Sequence, residues 1–380
     1  MKIAFLSIDD PMNRKSFSGV LYYFFKGLNT IAETHWIPVK ADYKVLKLYR
    51  FLMCKYAQYF LKKRIDPNLT FFTAKCLAHG ISKTELDGYD VIVAPVSLNI
   101  MKYLLTDKPV IYMVDATWHA ISNYYESYSN LLDWNYDQAE LLEVAALSKA
   151  SMIVYSNEWA RKSAMEHYSV NPDKIKVIEF GANLDEVSVS VEEKWEDDAL
   201  NILFIGKDWL RKGGEISVDT VKKMNEAGVK SYLHVIGGPK ERWGMQFEYV
   251  KYWGVLDKNI KEEYNRYIDL VSKCNILMLP SKAECSSIAL AEACAYGMAI
   301  YTYDTGGLAN YVINEYNGYR LPLSAKAEDF ALLIMKDYKA HILKEYSKNA
   351  RDIYLNVLNW DTWSAKMKDV LKQVMEKNSK

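Results

Sequence analysis

Apolar residues in this chain fall in short consecutive runs, separated by stretches with helical spacing. KIAFLSI (2–8), DVIVAPV (90–96), PVIYMV (109–114), SMIVYS (151–156) and KIKVIEF (174–180) occupy the first half. NILFIG (201–206), SYLHVIG (231–237), NILMLP (275–280) and MAIYTYD (298–304) occupy the second. Runs that are apolar at every position suit strands covered on both faces, as in a parallel sheet. The segment EISVDTVKKMNEAG (215–228) reads as an intervening helix, with Gly228 placed for a left-handed residue at its end. Strands alternating with helices predict α/β layers. The alternation lapses once, in the acidic stretch DEVSVSVEEKWEDDA (185–199). The expected organisation is therefore a domain over 1–185, a linker over 186–199 and a domain over 200–358. Each is expected to be a Rossmann-like, doubly wound parallel sheet. In the tail, Trp360, Trp363, Met367, Val370, Leu371 and Val374 line one face of a helix over 360–378, which should dock on an apolar surface. Two such sheets facing a central cleft would bind ligands outside the carboxyl ends of their strands.

A chain of 380 residues agrees with two domains. Its 48 basic and 48 acidic residues cancel, so no nucleic-acid partner is expected from overall charge. The cysteines at 54, 76, 274, 285 and 294 form no CxxC pair and no Cys/His cluster at zinc spacing. Reduced thiols in a cytoplasmic protein are expected. The opening MKIAFLSIDD meets acids after eight residues, which argues against a signal peptide. No uninterrupted apolar run approaches the ~20 residues of a membrane span.

The chemistry is concentrated in PSKAECSSIALAEACAYGMAIYTYDTGG (280–307). The chain turns here from strand to helix, with Ser286 the expected N-cap and Gly297 the expected residue beyond the helix end. On that helix Ile288, Ala291, Glu292 and Ala295 share one stripe. A carboxylate in an apolar stripe is costly unless satisfied. A buried salt bridge would satisfy it. So would a ligand offering paired hydroxyls, because a carboxylate accepts two hydrogen bonds side by side. Unbonded N–H groups at Ser287, Ile288 and Ala289 would form an anion site at the helix start. Phosphates there, ribose one turn along and a sugar near Glu284 describe a nucleotide-sugar.

This segment resembles the Glu-x7-Glu signature of the retaining GT-B glycosyltransferases, in the glycosyltransferase group 1 family (family 4). Further stretches are similar in order: SFSGVLYYFFKGL near the start, VDATWHAI (114–121), KIKVIEFGANLD, LFIGKDWLRKGGEISVDTVKKM, GGLANYVINEYNGYRLP and NWDTW. The resemblance implies the GT-B fold with a C-terminal helix crossing back to the N-terminal domain. It implies that Glu292 holds the ribose and Glu284 the donor sugar's hydroxyls. Backbone amides at Ser286, Ser287 and Ile288 would meet sugar and diphosphate, and Lys212 would pair with the diphosphate. Lys207 stands where the family usually has Arg, keeping the charge but not the bidentate fork. Asn310 stands where the family often has Glu, so no charged role carries over. Gly19, at the start of a helix, would approach the diphosphate from the first domain. Asp115 and His119 would face the reacting sugar and the acceptor.

A nucleoside diphosphate leaving group gains negative charge as the sugar–oxygen bond breaks. Many transferases hold a metal there. This chain shows no DxD motif with a suitable strand and no His/carboxylate cluster, so neither metal nor cofactor is expected. Lys207, Arg211, Lys212 and a helix dipole would supply the charge. The segment 40–64 carries eight basic residues (Lys40, Lys44, Lys47, Arg50, Lys55, Lys62, Lys63, Arg64) against one acid, Asp42. Leu46, Tyr49, Phe51, Met53, Tyr56, Tyr59 and Phe60 interleave with them. A basic amphipathic segment suits either a solvated helix face or an anionic membrane surface. The expected activity is retaining transfer of a sugar from a nucleotide-sugar to a glycan or lipid-linked acceptor. It would serve bacterial-type polysaccharide assembly, in the cytoplasm or peripherally on the inner face of the plasma membrane. A GT-B nucleotide-sugar epimerase, a phosphorylase and a non-catalytic GT-B partner subunit are the alternatives. A phosphorylase would need a pyridoxal lysine or a phosphate site, and neither is evident.

Overall fold

The computed structural model describes residues 1–185, 187, 191–195, 198–238 and 247–378. Six of the fourteen residues of the expected linker, 186–199, lie outside the described residues. By contacts the chain divides into two units, Met1–Ile178 with Trp363–Lys380, and Glu179–Thr362. The division falls ahead of residue 185, because the intervening residues bond to the second unit. Asn310 donates to Glu179 Oε1 at 3.1 Å, and the Ala182 N–H donates to the Leu358 carbonyl at 3.0 Å.

The first unit contains β1 (Lys2–Ser7), β2 (Glu33–Pro38), β3 (Val91–Pro95), β4 (Val110–Val114), β5 (Met152–Tyr155) and β6 (Ile175–Val177). They form one parallel sheet in the order β2-β1-β3-β4-β5-β6. The second contains β7 (Leu200–Ile205), β8 (Ser231–Ile236), β9 (Val250–Gly254), β10 (Ile276–Leu279), β11 (Ala299–Tyr303) and β12 (Gly318–Leu321). Its order is β12-β11-β10-β7-β8-β9, again parallel. In each sheet the winding reverses once, between β1 and β3 and between β7 and β10. Right-handed crossovers on either side of a reversal put helices on both faces and open a crevice at the carboxyl ends of the two strands.

All nine expected strands are present. The three unanticipated ones, β2, β9 and β12, are edge strands. β2 shows why: only Thr34 and Ile37 of its six residues are buried, so its sequence, ETHWIP, never becomes a continuous apolar run. Interior strands β3, β10 and β11 are buried at every residue.

The helix expected at 215–228 spans Gly214–Glu226, and Gly228 has φ +83°. The last helix, Trp360–Asn378, buries Trp363, Met367, Val370, Leu371 and Val374. From Trp363 onward it belongs to the first unit. Trp363 stacks on Phe24 with ring centroids 5.0 Å apart. Among the described residues no helix is long and apolar enough to cross a membrane.

Candidate functional site

In the second unit the two strands at the reversal feed the loops that hold the sequence-predicted residues. β7 ends at Ile205 and is followed by buried Gly206 and exposed Lys207. Asp208 then caps the short helix Trp209–Lys212, its carboxylate accepting from the Arg211 N–H at 3.2 Å. Gly213 closes that turn with φ +78°, a conformation that disfavours any residue with a Cβ. A Cβ added there would lie 2.2 Å from the Pro280 carbonyl oxygen. Gly213 thus lets its backbone approach the loop after β10 closely. The Lys282 N–H donates to the Arg211 carbonyl at 2.8 Å, tying the two loops together.

This tie assembles a charged cluster around Glu284, which is only 6% exposed. Arg211 Nη1 lies 3.2 Å from Glu284 Oε1 and donates to the Ala283 carbonyl at 2.7 Å. Lys212 Nζ donates to the same carboxylate oxygen, as does Ser281 Oγ at 2.8 Å. Arg211 Nε also meets Asp208 Oδ2 at 3.0 Å. Two cations and a hydroxyl converging on one buried carboxylate satisfy it.

The helix after this loop spans Ile288–Ala295, with Ser287 as N-cap. The expectation of Ser286 as N-cap is therefore corrected by one residue. Both serines are capping residue types, and Ser287 makes no side-chain cap bond. The Ser287 Oγ is instead buried with no hydrogen-bond partner. With Ser287 as cap, the N–H groups of Ile288 and Ala289 precede the first in-helix bond, which the Leu290 N–H makes to the Ser287 carbonyl. Gly297 follows the helix at φ +58°, as expected.

Glu292 lies in the middle of this helix and is 4% exposed. Its Oε1 is paired with Lys258 Nζ and its Oε2 accepts from the Tyr267 hydroxyl. Burial, then the Glu292 charge, raises the Tyr267 pKa, so the phenol stays protonated and donates. A buried salt bridge thus satisfies the carboxylate in the apolar stripe. Lys258 and Tyr267 were not singled out in the sequence. Lys258 stands in a loop 34 residues from its partner and Tyr267 on the amphipathic helix Lys261–Lys273, so neither falls within a recognisable motif.

The first-unit residues follow strand ends too. Gly19 caps the helix Val20–Asn29 with φ +86°, after Phe17 and Ser18 at φ 47° and 55°. Three consecutive left-handed residues make this a strained turn, which glycine relieves at the helix entry. Asp115 is half-buried after β4, and its carbonyl accepts from Asn157 Nδ2 at 2.7 Å. His119 lies on the short helix Trp118–Ile121, exposed at its ring. That ring stacks on His167 at a centroid distance of 3.5 Å, and its backbone N–H donates to the Tyr168 hydroxyl at 3.1 Å. Glu140 accepts from Tyr168 at 3.0 Å and lies 2.6 Å from His167 Nε2, so one carboxylate orders both neighbours of His119. Beneath them Glu143 is buried, with Oε2 accepting from the Trp118 N–H at 3.4 Å. Burial raises its carboxyl from 4.5 to about 8. None of Glu140, Glu143, His167 or Tyr168 carried a sequence signal.

Gly19, Asp115 and His119 therefore belong to the first unit, and Lys207, Arg211, Lys212, Glu284, Ser286, Ser287, Ile288 and Glu292 to the second. Among the described residues no group of three or more His, Cys, Asp or Glu is placed to hold a metal ion.

Residues 190–352 match the family model described as glycosyl transferases group 1. No curated protein matches the chain in sequence. Solved structures match it over nearly its whole length. Sucrose-phosphate synthase from Thermosynechococcus elongatus is 16% identical at TM-score 0.67, with 99% of each chain covered. A glycosyltransferase from Rickettsia africae is 16% identical at TM-score 0.63, with 98% of each covered. HepE of Anabaena, solved in complex with UDP-glucose, is 15% identical at TM-score 0.64, covering 98% of this chain and 100% of its own. Residues 190–352 are therefore a domain of the glycosyl transferases group 1 family, in a chain with the GT-B glycosyltransferase fold.

Proposed function

We propose that this protein is a retaining glycosyltransferase that moves a sugar from a nucleoside-diphosphate donor to a glycan or lipid-linked acceptor. The observation that carries the reading is the cluster of Arg211, Lys212 and Ser281 on buried Glu284, at the winding reversal of a group 1 domain. HepE of Anabaena, a structural neighbour, binds UDP-glucose, and that supports a nucleotide-sugar here.

In this reading the diphosphate lies against the N–H groups of Ile288 and Ala289 and competes with Glu284 for Lys212 and Arg211. Glu292 takes the ribose hydroxyls, and Glu284 takes hydroxyls of the donor sugar. Lys207 adds a solvent-facing cation. The bond between the anomeric carbon and the β-phosphate oxygen breaks, its electron pair leaving with the phosphate. The acceptor oxygen bonds to the same face of that carbon, and its proton passes to the departing phosphate oxygen. Lys212 and Arg211 neutralise charge that grows only as the bond breaks, so they act on the transition state more than on the bound donor. Asp115 and His119 belong to the acceptor side. No cofactor or metal enters the scheme. The setting is cytoplasmic, in polysaccharide or glycoconjugate assembly.

A thermal-shift panel of nucleoside diphosphates and their sugars tests the proposal. A ligand that binds only the native state raises the melting temperature, by about 2.7 kcal/mol of stability at a hundredfold excess over Kd. One base should stand out, and its nucleotide-sugar should be turned over in the presence of acceptor extracts. If no nucleoside diphosphate shifts the melt and no nucleotide-sugar is consumed, the reading fails.

A further inference from the structure

The helix Tyr43–Tyr56 and the turn Ala57–Leu61 that continues it are apolar on the wrong side for a helix that only covers a sheet. Leu46 and Ala57 are buried, and Tyr49 and Met53 are half-buried between them, so one face already packs on the first unit. The other face should then be polar. Instead Val45, Leu48, Leu52 and Tyr56, spaced as one helical stripe, are 46%, 60%, 55% and 51% exposed. Phe51 lies beside them at 58%, and the turn adds Tyr59 at 67% and Phe60 at 78%. A contiguous exposed apolar patch of this kind marks an interaction surface.

The charge around the patch selects the occupant. Lys44, Lys47, Arg50, Lys55 and Lys62 are exposed and have no ion-pair partner within 4.0 Å among the described residues. From Tyr43 through Ile65 the sequence has no acid. Lys63 and Arg64 are paired with the exposed Asp133 and Glu126. At the end of the turn a cavity of about 460 Å³ is lined by Cys54 and Ile65 and by six residues with hydrogen-bond donors, Gln58, Lys62, Lys63, Arg64, Ser127 and Asn130. A second copy of the chain would bring the same cations against themselves. A surface that is both apolar and anionic, with phosphates at its boundary, fits the aromatic ridge, the lysines and the donor-lined cavity together.

We infer that this face docks on an anionic lipid bilayer. Leu48, Phe51, Leu52 and Phe60 enter the acyl boundary, the lysines lie at headgroup level, and a lipid phosphate occupies the cavity beside Lys62. The inference does not rest on the donor chemistry, which belongs to the second unit.

Co-sedimentation of the full chain with extruded vesicles tests it. Vesicles of mixed phosphatidylglycerol and phosphatidylcholine should pellet the protein at low salt, and pure phosphatidylcholine should pellet far less. Replacing Lys47, Lys55 and Lys62 by Gln should lower partitioning on the order of a hundredfold, three cations at about 1 kcal/mol each. Replacing Leu48, Leu52 and Phe60 by Ser should lower it as much while leaving the melting temperature unchanged, since these side chains are exposed. The single change Phe60→Ser serves if the triple variant fails to fold. Both variants should keep any melting shift given by nucleoside diphosphates, which separates this test from the test of donor binding. Absence of pelleting by the wild type overturns the inference. So does equal pelleting by neutral vesicles, capture by soluble polyglutamate without capture by vesicles, or self-association in light scattering that Leu52→Ser abolishes.

Discussion

Replacing Glu143 by Gln should make the first unit more stable in alkali and remove most of its pH dependence. Glu143 is 1% exposed, and burial raises its carboxyl from 4.5 to about 8, against a smaller opposing effect of the Trp118 N–H. Between those values the unfolded chain ionises this group and the folded chain keeps it protonated. The native state then binds more protons, so stability falls as pH rises. It is intact below about pH 4.5 and lost progressively up to about pH 8. A rise of about three and a half, at ~1.4 kcal/mol per unit, is about 5 kcal/mol. For a unit of this size that is on the order of 10 °C in melting temperature. Gln copies the protonated acid: its carbonyl accepts from the Trp118 N–H and its amide occupies the place of Oε1, which has no partner. Urea unfolding of wild type and Glu143→Gln at pH 5, 6.5 and 8 reads the effect. The variant should lie within about 2 kcal/mol of wild type at pH 5 and well above it at pH 8. Any slope left in the variant includes that of Asp66, which burial also raises. Parallel pH curves for the two proteins would refute the assignment of a buried, protonated carboxyl.

His234, in the second unit, should act in the opposite direction. Burial, with Lys251 adding to it, lowers its pKa from 6.5 to about 4, so stability present above pH 6.5 is lost as pH falls toward 4. The loss is about 3 kcal/mol by linkage, and calorimetry on His234→Gln should show it flattened. Gly213→Ala should cost more than ~2 kcal/mol, because a left-handed Cβ there meets the Pro280 carbonyl; an unchanged melting temperature would contradict the geometry. Lys212→Ala should lower kcat more than it raises the donor KM, with activity surviving EDTA; a loss confined to KM, or one rescued by magnesium or manganese, would count against the proposed mechanism. Glu292→Ala should weaken nucleoside-diphosphate binding by about 1.5–3 kcal/mol for each charge-assisted bond lost, and calorimetry giving wild-type affinity would remove its ribose role.

The interior of both sheets was legible because burial on both faces leaves a local trace: every residue of β3, β10 and β11 is apolar or small. Three of the four edge strands lack that trace, so β2, β9 and β12 were missed, whereas the edge strand β6 was found because Ile175, Val177 and Ile178 keep its run apolar. The two loops of the second unit were legible as a motif, since Lys212, Glu284 and Glu292 stand at fixed offsets from strand ends. Their partners were not. Lys258 reaches Glu292 from a loop placed by β9, an unrecognised edge strand, and Tyr267 reaches it from a helix whose spacing signals only amphipathicity. The His119 surroundings show the same limit. Glu140 sits on the helix Asp133–Lys149 and meets His167 and Tyr168 just past the end of the helix Glu158–Glu166, and no local pattern encodes that meeting.

The glutamate in an alanine-rich helix can now be weighed. Stability does not call for Glu292. Well-packed apolar residues in place of a buried ion pair are often neutral or stabilising, whereas removing one partner of the pair is strongly destabilising. The salt bridge therefore explains how the carboxylate is tolerated but not why it is there. The two partners differ in a way that bears on this. Tyr267 is fully enclosed, and burial keeps its phenol protonated, so it fixes the orientation of Oε2. Lys258 is 28% exposed on a loop and meets Oε1 from the outside. In the proposed reading, a ligand with vicinal hydroxyls would replace a partly exposed lysine at Oε1 without opening the core, and the lysine would regain water. Glu284 also combines an enclosed partner, Ser281, with the more accessible cations Lys212 and Arg211, although all three meet Oε1. Each carboxylate thus has at least one enclosed partner and at least one partly exposed cation, and the exposed cations are the ones a donor would displace under the proposed function.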